Sequence, residues 1–274
     1  MAWVHRQSTT RVDWENVNQD RRLNIGRLNM GDAVYTLLDS IWPFEEQRST
    51  EIIPVNHVLR FEVTDAVMQM ETELDRRAKM RLVTQRESDG SIRRAHVHSV
   101  CEILGDDGHP VCQGDYWIAI TKPFAPKGQR RLEEIPHPLQ VLEEHSLADS
   151  DPPARALAEY VLQSPDAEHQ RRVAFHVNQT DINHHVNTMI YLSLVQSLAA
   201  DFGSVAGWPV AGMRFRGLQI LFRKPFGAGD PLELKVGLKR TDSGFESVVR
   251  FFHVVDGETA DAPSTAALVW GDIC

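Results

Sequence analysis

Hydrophobic and polar residues alternate along several stretches of the first half of the chain, as they do in strands that bury one face. The stretches are 57–63, 68–85, 92–104 and 110–121, and the turn-forming sequences ESDG and GDDG separate the later ones. Alternation of period two that is bounded by turns predicts an antiparallel sheet. The segment before these strands, 30–42, is apolar on nearly every side and predicts a helix that is buried all round.

The second half of the chain repeats this order. A strand over 171–177 and a loop lead into an apolar helix over 187–203. Further strands are predicted at 213–223, 231–240, 245–255 and 264–270. A helix followed by several antiparallel strands therefore occurs twice, which predicts a duplicated α+β unit.

One helix wrapped by a curved antiparallel sheet is the hotdog arrangement, so the duplication predicts a tandem, or double, hotdog. The expected first domain comprises 1–122 and the expected second domain 171–274. The intervening 123–170 contains PHP and DSDPP, which interrupt the periodicity and predict a linker with one short helix at 154–163.

The segment 176–191, HVNQTDINHHVNTMIY, places side chains able to accept a proton directly before the second predicted helix. Asp181, Asn183 and His185 occupy alternate positions, so they can face one cleft while their neighbours anchor the loop. The N-terminus of a helix offers N–H groups and positive charge to an oxyanion that develops on a thioester carbonyl. We therefore expect Asp181 to act as general base or nucleophile, with Asn183 and His185 orienting water and the polarised oxygen.

A thioester suits such limited machinery, because its thiolate leaving group has a pKa near about 8.5 and needs no strong acid. No cofactor or metal is expected. Two other interpretations stay open: Asp and Asn before a helix are ordinary capping and turn residues, and Asp181 with His184 and His185 could bind a metal, although no second ligand cluster follows.

The first predicted helix does not follow an equivalent motif. Aligning Tyr35 with Tyr191 superposes the two helices at an offset of 156 residues. The residues that then match Asp181, Asn183 and His185 are Ile25, Arg27 and Asn29. The first domain is therefore expected to lack the chemistry, which leaves one working site in each chain.

Composition narrows the class of protein. The chain has 274 residues, of which 42% are hydrophobic and 24% charged, and this suits two folded domains rather than a disordered protein. A net charge of −9 argues against nucleic-acid binding. The N-terminal segment has no apolar core, and no apolar run reaches the roughly 18 residues of a membrane span, so a cytoplasmic location away from membranes is expected.

The three cysteines, Cys101, Cys112 and Cys274, cannot make an even disulfide framework and are expected to be reduced. The sequence CEILGDDGHPVC predicts a hairpin with its turn centred between Asp106 and Asp107. That register would place Cys101 directly opposite Cys112, with Cα atoms within about 6 Å of each other.

Three segments carry a resemblance to a known family. DINHHVNTMIY at 181–191 resembles the D-x-N-x-H-V-N-N-x-x-Y segment of acyl-acyl carrier protein (acyl-ACP) thioesterases, which are double hotdog enzymes. RRLEEIP at 130–136 is similar to the basic stretch that leaves the first hotdog of that family. LQILFRKPFGAGDPLEL at 218–234 resembles the strand-turn-strand found in hotdog acyl thioesterases generally.

The resemblance implies a hydrolase of fatty acid biosynthesis, a monomer or homodimer, whose substrate is an acyl group on ACP or coenzyme A. Asp181, Asn183 and His185 fall on the family's catalytic positions. The positions expected to contact substrate are Val186, Asn187 and Tyr191. An acidic carrier would meet basic residues, for which the candidates are Lys122, Arg130, Arg131 and Arg216.

The chain departs from the family at one place. The plant enzymes carry a glutamate next to a cysteine in the strand after the helix, whereas FRKPFGAGD has no acid before Asp230 and no cysteine. Either Asp181 alone serves as base, or hydrolysis is weakened or replaced. The open alternatives are a hotdog dehydratase, hydratase or cyclase, whose usual D-x-N-P-x-H motif has a different spacing, and a non-catalytic acyl-carrier binding protein.

Overall fold

The computed structural model describes residues 4–12, 17, 22–24, 27, 30–69, 73–123, 125–126, 129–147, 167–181 and 184–273. The chain divides into two compact units, and neither is a single continuous stretch. The first unit contains the described parts of Met1–Val12, Asn29–Leu59 and Glu71–Pro153, and the second those of Asp13–Leu28, Arg60–Met70 and Ala154–Cys274. The helix predicted at 154–163 lies outside the described residues.

The first unit is an antiparallel sheet with one long helix. Its strands are β1 (Val4–Arg11), the part of β2 (Ile53–Val63) that belongs to this unit, β3 (Glu73–Arg86), β4 (Ile92–Leu104), β5 (Pro110–Thr121) and β6 (Glu144–Ser146). β1, β3, β4 and β5 pair in that order, all antiparallel, and β6 pairs with β3 in parallel. The helices are α1 (Gly31–Ile41) and α2 (Phe44–Ser49).

The four strands predicted in this half are confirmed, and β4 and β5 have the predicted bounds. β3 begins at Glu73 rather than at residue 68, and β2 begins four residues before the predicted start at residue 57. β1 was not predicted, because its sequence, VHRQSTTR, is polar on both faces and lies exposed along most of its length.

The prediction that the first helix is buried all round is wrong. α1 buries one face against β1, β3 and β4 and leaves the other exposed. Tyr35 lies on the exposed face, where its hydroxyl donates to Asn56 Oδ1 at 2.6 Å. The buried residues are Ala33, Val34, Leu37 and Leu38.

The predicted pairing of the two cysteines is also wrong. Cys101 lies opposite Gly114 and Cys112 lies opposite Ile103, since the register shifts between Ile103 and Leu104. The cause is the turn, where Gly108 adopts φ 77° and the N–H of Gly105 donates to the carbonyl of His109 around a three-residue loop. Both cysteines are free and buried.

Part of the segment predicted as a linker packs into the first unit. The N–H of Leu82 in β3 donates to the carbonyl of Glu143 at 3.0 Å, next to the β3–β6 pairing. A 3₁₀ turn over His137–Val141 precedes this contact. The apolar residues that the segment buries are Leu132, Ile135, Leu139 and Leu142.

The second unit has the same plan, with the part of β2 from residue 60 onward and a longer helix. Its remaining strands are β7 (Ala167–Ala174), β8 (Met213–Phe222), β9 (Pro231–Arg240), β10 (Gly244–Val255), β11 (Glu258–Thr259) and β12 (Thr265–Ile273). The order is β8-β12-β10-β9-β7, all antiparallel, with β11 on β10. Helix α3 (Thr188–Val205) packs against β8, β9, β10 and β12.

The buried faces of α1 and α3 match, but not in the register that the sequence suggested. Tyr35 is 38% exposed whereas Tyr191 is 2% exposed, so the two tyrosines are not equivalent. The buried set 33, 34, 37 and 38 has the spacing of 191, 192, 195 and 196, which matches residue 33 to residue 191. The residues that then correspond to Asp181, Asn183 and His185 are Leu23, Ile25 and Arg27, so the first half still lacks the motif.

None of the described helices is both long enough and apolar enough to cross a membrane.

Candidate active site

The loop before α3 closes on itself as a small hairpin. A backbone bridge joins Thr180 to Val186. One step nearer the tip, the N–H of Asp181 donates to the carbonyl of His185 at 2.8 Å. These bonds hold the two ends of the predicted motif side by side.

His184 shapes the tip of this hairpin. Its N–H donates to the carbonyl of Asp181 at 3.0 Å, its φ is 60°, and its side chain is exposed. A three-residue tip that ends in a left-handed residue is a common hairpin connection, and His adopts that conformation more readily than most side chains. Ile182 and Asn183 lie outside the described residues, so the role of Asn183 stays a prediction.

The carboxylate of Asp181 is exposed beside the half-buried His185. Asp181 Oδ1 accepts a hydrogen bond from the N–H of His185 at 3.3 Å. The bond spans four residues, so it closes the loop from within rather than forming an ordinary Asx turn to the second residue along. A carboxylate has about four lone-pair sites, so a carboxylate that stabilises a loop can also act as a base.

The next two residues anchor the loop to the helix and sheet. Val186 is 6% exposed, and its N–H donates to the carbonyl of Phe226 at 2.8 Å. Asn187 is the N-cap of α3, and its Oδ1 accepts from the N–H of Met189 at 2.8 Å. The capping role of Asn187 accounts for its presence without any contact with substrate.

Tyr191 lies in the core of the second unit. Its ring contacts the aromatic rings of Phe175, Phe222 and Phe251. Burial raises the pKa of its hydroxyl well above the usual value. Any contact of Tyr191 with a substrate would therefore be made through an acyl chain that enters this apolar core.

A second polar cluster was not found from the sequence. His253 in β10 has Nδ1 2.6 Å from Ser264 Oγ and Nε2 3.7 Å from Asp230 Oδ2. Burial lowers the pKa of His253, and the negative charge of Asp230 opposes that shift. Asp230 was noted in the sequence only as the first acid after FRKPFGAG, and His253 is a lone histidine in an apolar strand, so nothing in the sequence joined the two.

The cluster meets the loop at Gly227. The N–H of Gly227 donates to Asp230 Oδ2 at 2.8 Å, and its backbone forms a bridge with His185. The preceding Phe226 is fully buried, stacks on the ring of His253 with centroids 3.8 Å apart, and accepts the bond from Val186. Asp230 and His253 therefore brace the backbone that holds His185.

The basic residues expected to dock a carrier differ in their surroundings. Arg216 is paired within the second unit, with Nη1 2.6 Å from Asp65 Oδ1 and Nε 2.5 Å from Asp272 Oδ2, so its charge is neutralised. Arg130 and Arg131 are exposed in the first unit. Among the residues that the structure describes, no group of three His, Cys, Asp or Glu is placed to hold a metal ion.

Comparison with known proteins relates the fold of this chain to solved structures. No family model and no curated protein matches the sequence. The solved structures do match: a protein assigned as an oleoyl thioesterase from Lactobacillus plantarum has a TM-score of 0.72 at 11% identity, covering 99% of this chain and 96% of its own. The chain has the fold of the acyl thioesterases.

Two acyl-ACP thioesterase structures extend the match. The enzyme from Bacteroides thetaiotaomicron has a TM-score of 0.65 at 14% identity, covering 98% of both chains. The 12:0-ACP thioesterase from Umbellularia californica has a TM-score of 0.62 at 12% identity, covering 97% of this chain and 96% of its own. The resemblance predicted from the three sequence segments is thus confirmed for the hotdog-like thioesterase fold.

Proposed function

We propose that the protein is a double hotdog enzyme that hydrolyses an acyl thioester to a free carboxylic acid and a thiol. The observation that carries the proposal is the exposed carboxylate of Asp181, held beside His185 immediately before α3. The same motif resembles that of acyl-ACP thioesterases, and the fold matches theirs over almost the whole chain.

The chemistry follows from the groups at this loop. Asp181 removes a proton from water as the water oxygen attacks the thioester carbonyl, or its carboxylate attacks that carbon itself. His185, with Asn183 at the predicted position, orients the water and the carbonyl oxygen. In the first route the tetrahedral intermediate collapses by breaking the carbon–sulfur bond, and the departing thiolate takes up the proton that Asp181 removed from water. In the second route the thiolate leaves a mixed anhydride on Asp181; water then hydrolyses this anhydride, which releases the acid, regenerates the carboxylate and supplies the proton that the thiolate takes up. No cofactor supplies any part of this reaction.

Asp230 and His253 act as positioning residues in this account. Asp230 fixes the N–H of Gly227, and Gly227 pairs with the backbone of His185. The plant enzymes have a glutamate in the strand after the helix, but the corresponding segment of this chain, FRKPFGAGD, has no acid before Asp230. Asp230 is therefore the first carboxylate in that segment. Asp181 therefore serves as the base without a second acid in direct contact with substrate.

The substrate is proposed to be an acyl group on acyl carrier protein or coenzyme A, in fatty acid biosynthesis in the cytoplasm. The carrier protein is supported by the names of two structural neighbours, which act on ACP thioesters. Among the residues proposed to contact substrate, Asn187 is exposed at the start of α3, whereas the buried Val186 and Tyr191 would meet only an acyl chain that enters the apolar core. Because the duplicated units give one motif per chain, a monomer or a homodimer suffices.

The proposal is tested by measuring thiol release from a panel of acyl-ACP and acyl-CoA thioesters of different chain length. We expect saturable release with at least one of them and free acid as the second product. 2-Enoyl thioesters in the same panel distinguish the alternatives, because a hydratase would add water to the double bond and leave the thioester intact. Binding of acyl-ACP with no turnover of any member would instead identify a binding protein and contradict the proposal.

A further inference from the structure

The first unit contains a cavity of about 430 Å³ that the chemistry at Asp181 does not use. The beginning of β4 and the end of β5 form one side, and residues 130–132 form another. The hydroxyl of Thr121 donates to the carbonyl of Arg130 at 3.4 Å and ties these two sides together. Its volume lies in the range of small-molecule pockets, about 300 to 1,000 Å³.

The walls of this cavity are strongly cationic. Among the described residues they include Arg93, Arg94, Arg130 and Arg131 and no acidic side chain. Such a concentration of positive charge contrasts with the net charge of −9 of the whole chain. Four guanidinium groups around one recess repel each other, and an anion in the recess would relieve that repulsion.

Three of the four arginines make no ion pair with an acidic side chain of the described residues. Arg93 Nε lies 3.7 Å from Glu87 Oε1, and Arg130 Nε donates to the backbone carbonyl of Ala125 at 3.0 Å. Within the described part of the chain, Arg94 and Arg131 make no ion pair. Their charge, like that of Arg130, is therefore not balanced by an acidic group of the described chain and is available to a ligand.

A pair of imidazoles forms the inner wall. The rings of His57 and His96 stack with centroids 5.2 Å apart, and His96 Nε2 lies 3.2 Å from His57 Nδ1. His96 is 3% exposed, and its Nδ1 has no hydrogen-bond partner among the described residues. Burial, and then the nearby His57 and Arg94, lower the pKa of His96 to about 3, so it stays neutral.

We propose that this cavity binds the phosphate group of a small phosphate ester, held by Arg94 and Arg131 against the His57–His96 wall. Guanidinium groups match the phosphate oxygens in a bidentate way, and they do so best where water is partly excluded. The recess, of about 430 Å³, is too small for a folded partner to enter, which favours a small molecule over an acidic protein surface. Two kinds of molecule carry such a group, nucleotides and phosphopantetheine compounds, and the experiment below distinguishes them.

The test is calorimetric titration of the full chain with inorganic pyrophosphate, adenosine 5′-monophosphate, coenzyme A and pantetheine. We expect the phosphate-bearing probes to bind once per chain and to raise the melting temperature, while pantetheine, which has no phosphate, does not bind. 4′-Phosphopantetheine, added as a matched probe, carries one phosphate monoester as adenosine 5′-monophosphate does. Stronger binding of 4′-phosphopantetheine would identify the pantetheine phosphate as the source, and stronger binding of adenosine 5′-monophosphate would identify the nucleotide.

Variants assign the binding to the cavity. Arg94→Gln with Arg131→Gln should weaken pyrophosphate binding by about ten- to a hundredfold, as expected for loss of charge-assisted hydrogen bonds. Replacing the same two residues by lysine should restore part of the affinity, because the charge returns without the bidentate geometry. The matched control, Arg77→Gln with Arg171→Gln, removes two exposed charges elsewhere and should bind as the wild type does.

Unchanged pyrophosphate affinity in the Arg94/Arg131 variant would overturn the proposal. So would equal binding of pantetheine and coenzyme A, or saturable binding of an acidic carrier protein when none of the phosphate probes binds.

Discussion

The N–H of His185 donates to the carboxylate of Asp181, with 3.3 Å between the nitrogen and Oδ1, while the N–H of Asp181 donates to the carbonyl of His185 at 2.8 Å. The two residues thus fix each other's position through the backbone of one tight hairpin. Because the bond to the carboxylate comes from a backbone N–H, replacing either side chain does not remove the whole arrangement. This separates the contribution of the side chains to catalysis from their contribution to folding.

The two adjacent histidines should behave differently. His185→Ala removes a side chain expected to orient water, and we expect kcat/KM to fall by about a hundredfold, at the lower end of the range for positioned acid or base groups. His184→Gly preserves the left-handed backbone conformation at the tip of the loop, because glycine adopts it without steric cost. Turnover should therefore stay within about threefold of the wild type. Steady-state kinetics on the best thioester measures both. A larger loss at His184 than at His185 would reverse the assignment.

Asp230 should matter through the backbone that it holds. Asp230→Ala leaves the N–H of Gly227 without its acceptor, and we expect a fall of about 1 to 2 kcal/mol in the free energy of unfolding together with a lower kcat. Asp230→Asn keeps an oxygen acceptor and should restore most of both. If the asparagine variant is as inactive as the alanine variant while its melting temperature is normal, the carboxylate takes part in the reaction directly.

His96 should make the protein less stable in mild acid. Above pH 6.5 the residue is neutral in both the folded and the unfolded chain, and it contributes nothing to the pH dependence. As the pH falls from about 6.5 towards 3, the unfolded chain takes up a proton that the folded chain refuses, since the folded pKa of His96 is about 3. The free energy of unfolding should therefore decline by up to about 1.4 kcal/mol per pH unit through His96 alone.

The comparison variant for this effect is His96→Phe, which keeps a ring of similar shape beside Trp117. Urea titrations of both proteins between about pH 4 and 7 give the free energy of unfolding at each pH within the window set by the two pKa values of His96. The contribution of His96 is the difference between the two proteins in the slope of that free energy against pH. Identical slopes would show that His96 takes up its proton in the folded state.

The two buried cysteines should be inert to thiol reagents in the native protein. Burial raises the pKa of Cys101 to about 12 and raises that of Cys112 further, and the thiolate is the reactive form. Brief labelling with iodoacetamide at neutral pH, followed by peptide mass spectrometry, should leave both unmodified, whereas labelling in urea should modify both. Rapid native labelling of Cys101 would place it on an accessible surface.

Local signals in the sequence were sufficient for much of the fold. The alternation in β4 and β5 and the turn between them predicted the bounds of both strands. The cysteine register failed because it depends on the left-handed Gly108, which adds a residue to one arm of the hairpin. The prediction that α1 is buried all round failed because its polar residues lie with Tyr35 on one exposed face; they are Asp32, Thr36, Asp39 and Ser40.

The sequence predicted only those residues of the candidate site that lie close together along the chain. Asp181 and His185 are four residues apart in the sequence, and this spacing was enough to predict both as site residues. The neighbouring His184 has a different place, at the left-handed tip of the loop. Asp230 and His253 come from a turn and a strand, and only the folded sheet brings them within 3.7 Å of each other. The cationic cavity likewise combines residues near 94 with residues near 131.

The most direct test of the account is kcat/KM of Asp181→Asn on the best thioester substrate, with the melting temperature measured in parallel. Asparagine keeps the oxygen that accepts from the N–H of His185 but cannot act as a base or nucleophile. We expect kcat/KM to fall by about a hundredfold to ten-thousandfold with an unchanged melting temperature, while Asp201→Asn, on the exposed face of α3, should be fully active. A folded Asp181→Asn variant with wild-type activity would contradict the account and leave Asp181 a turn residue.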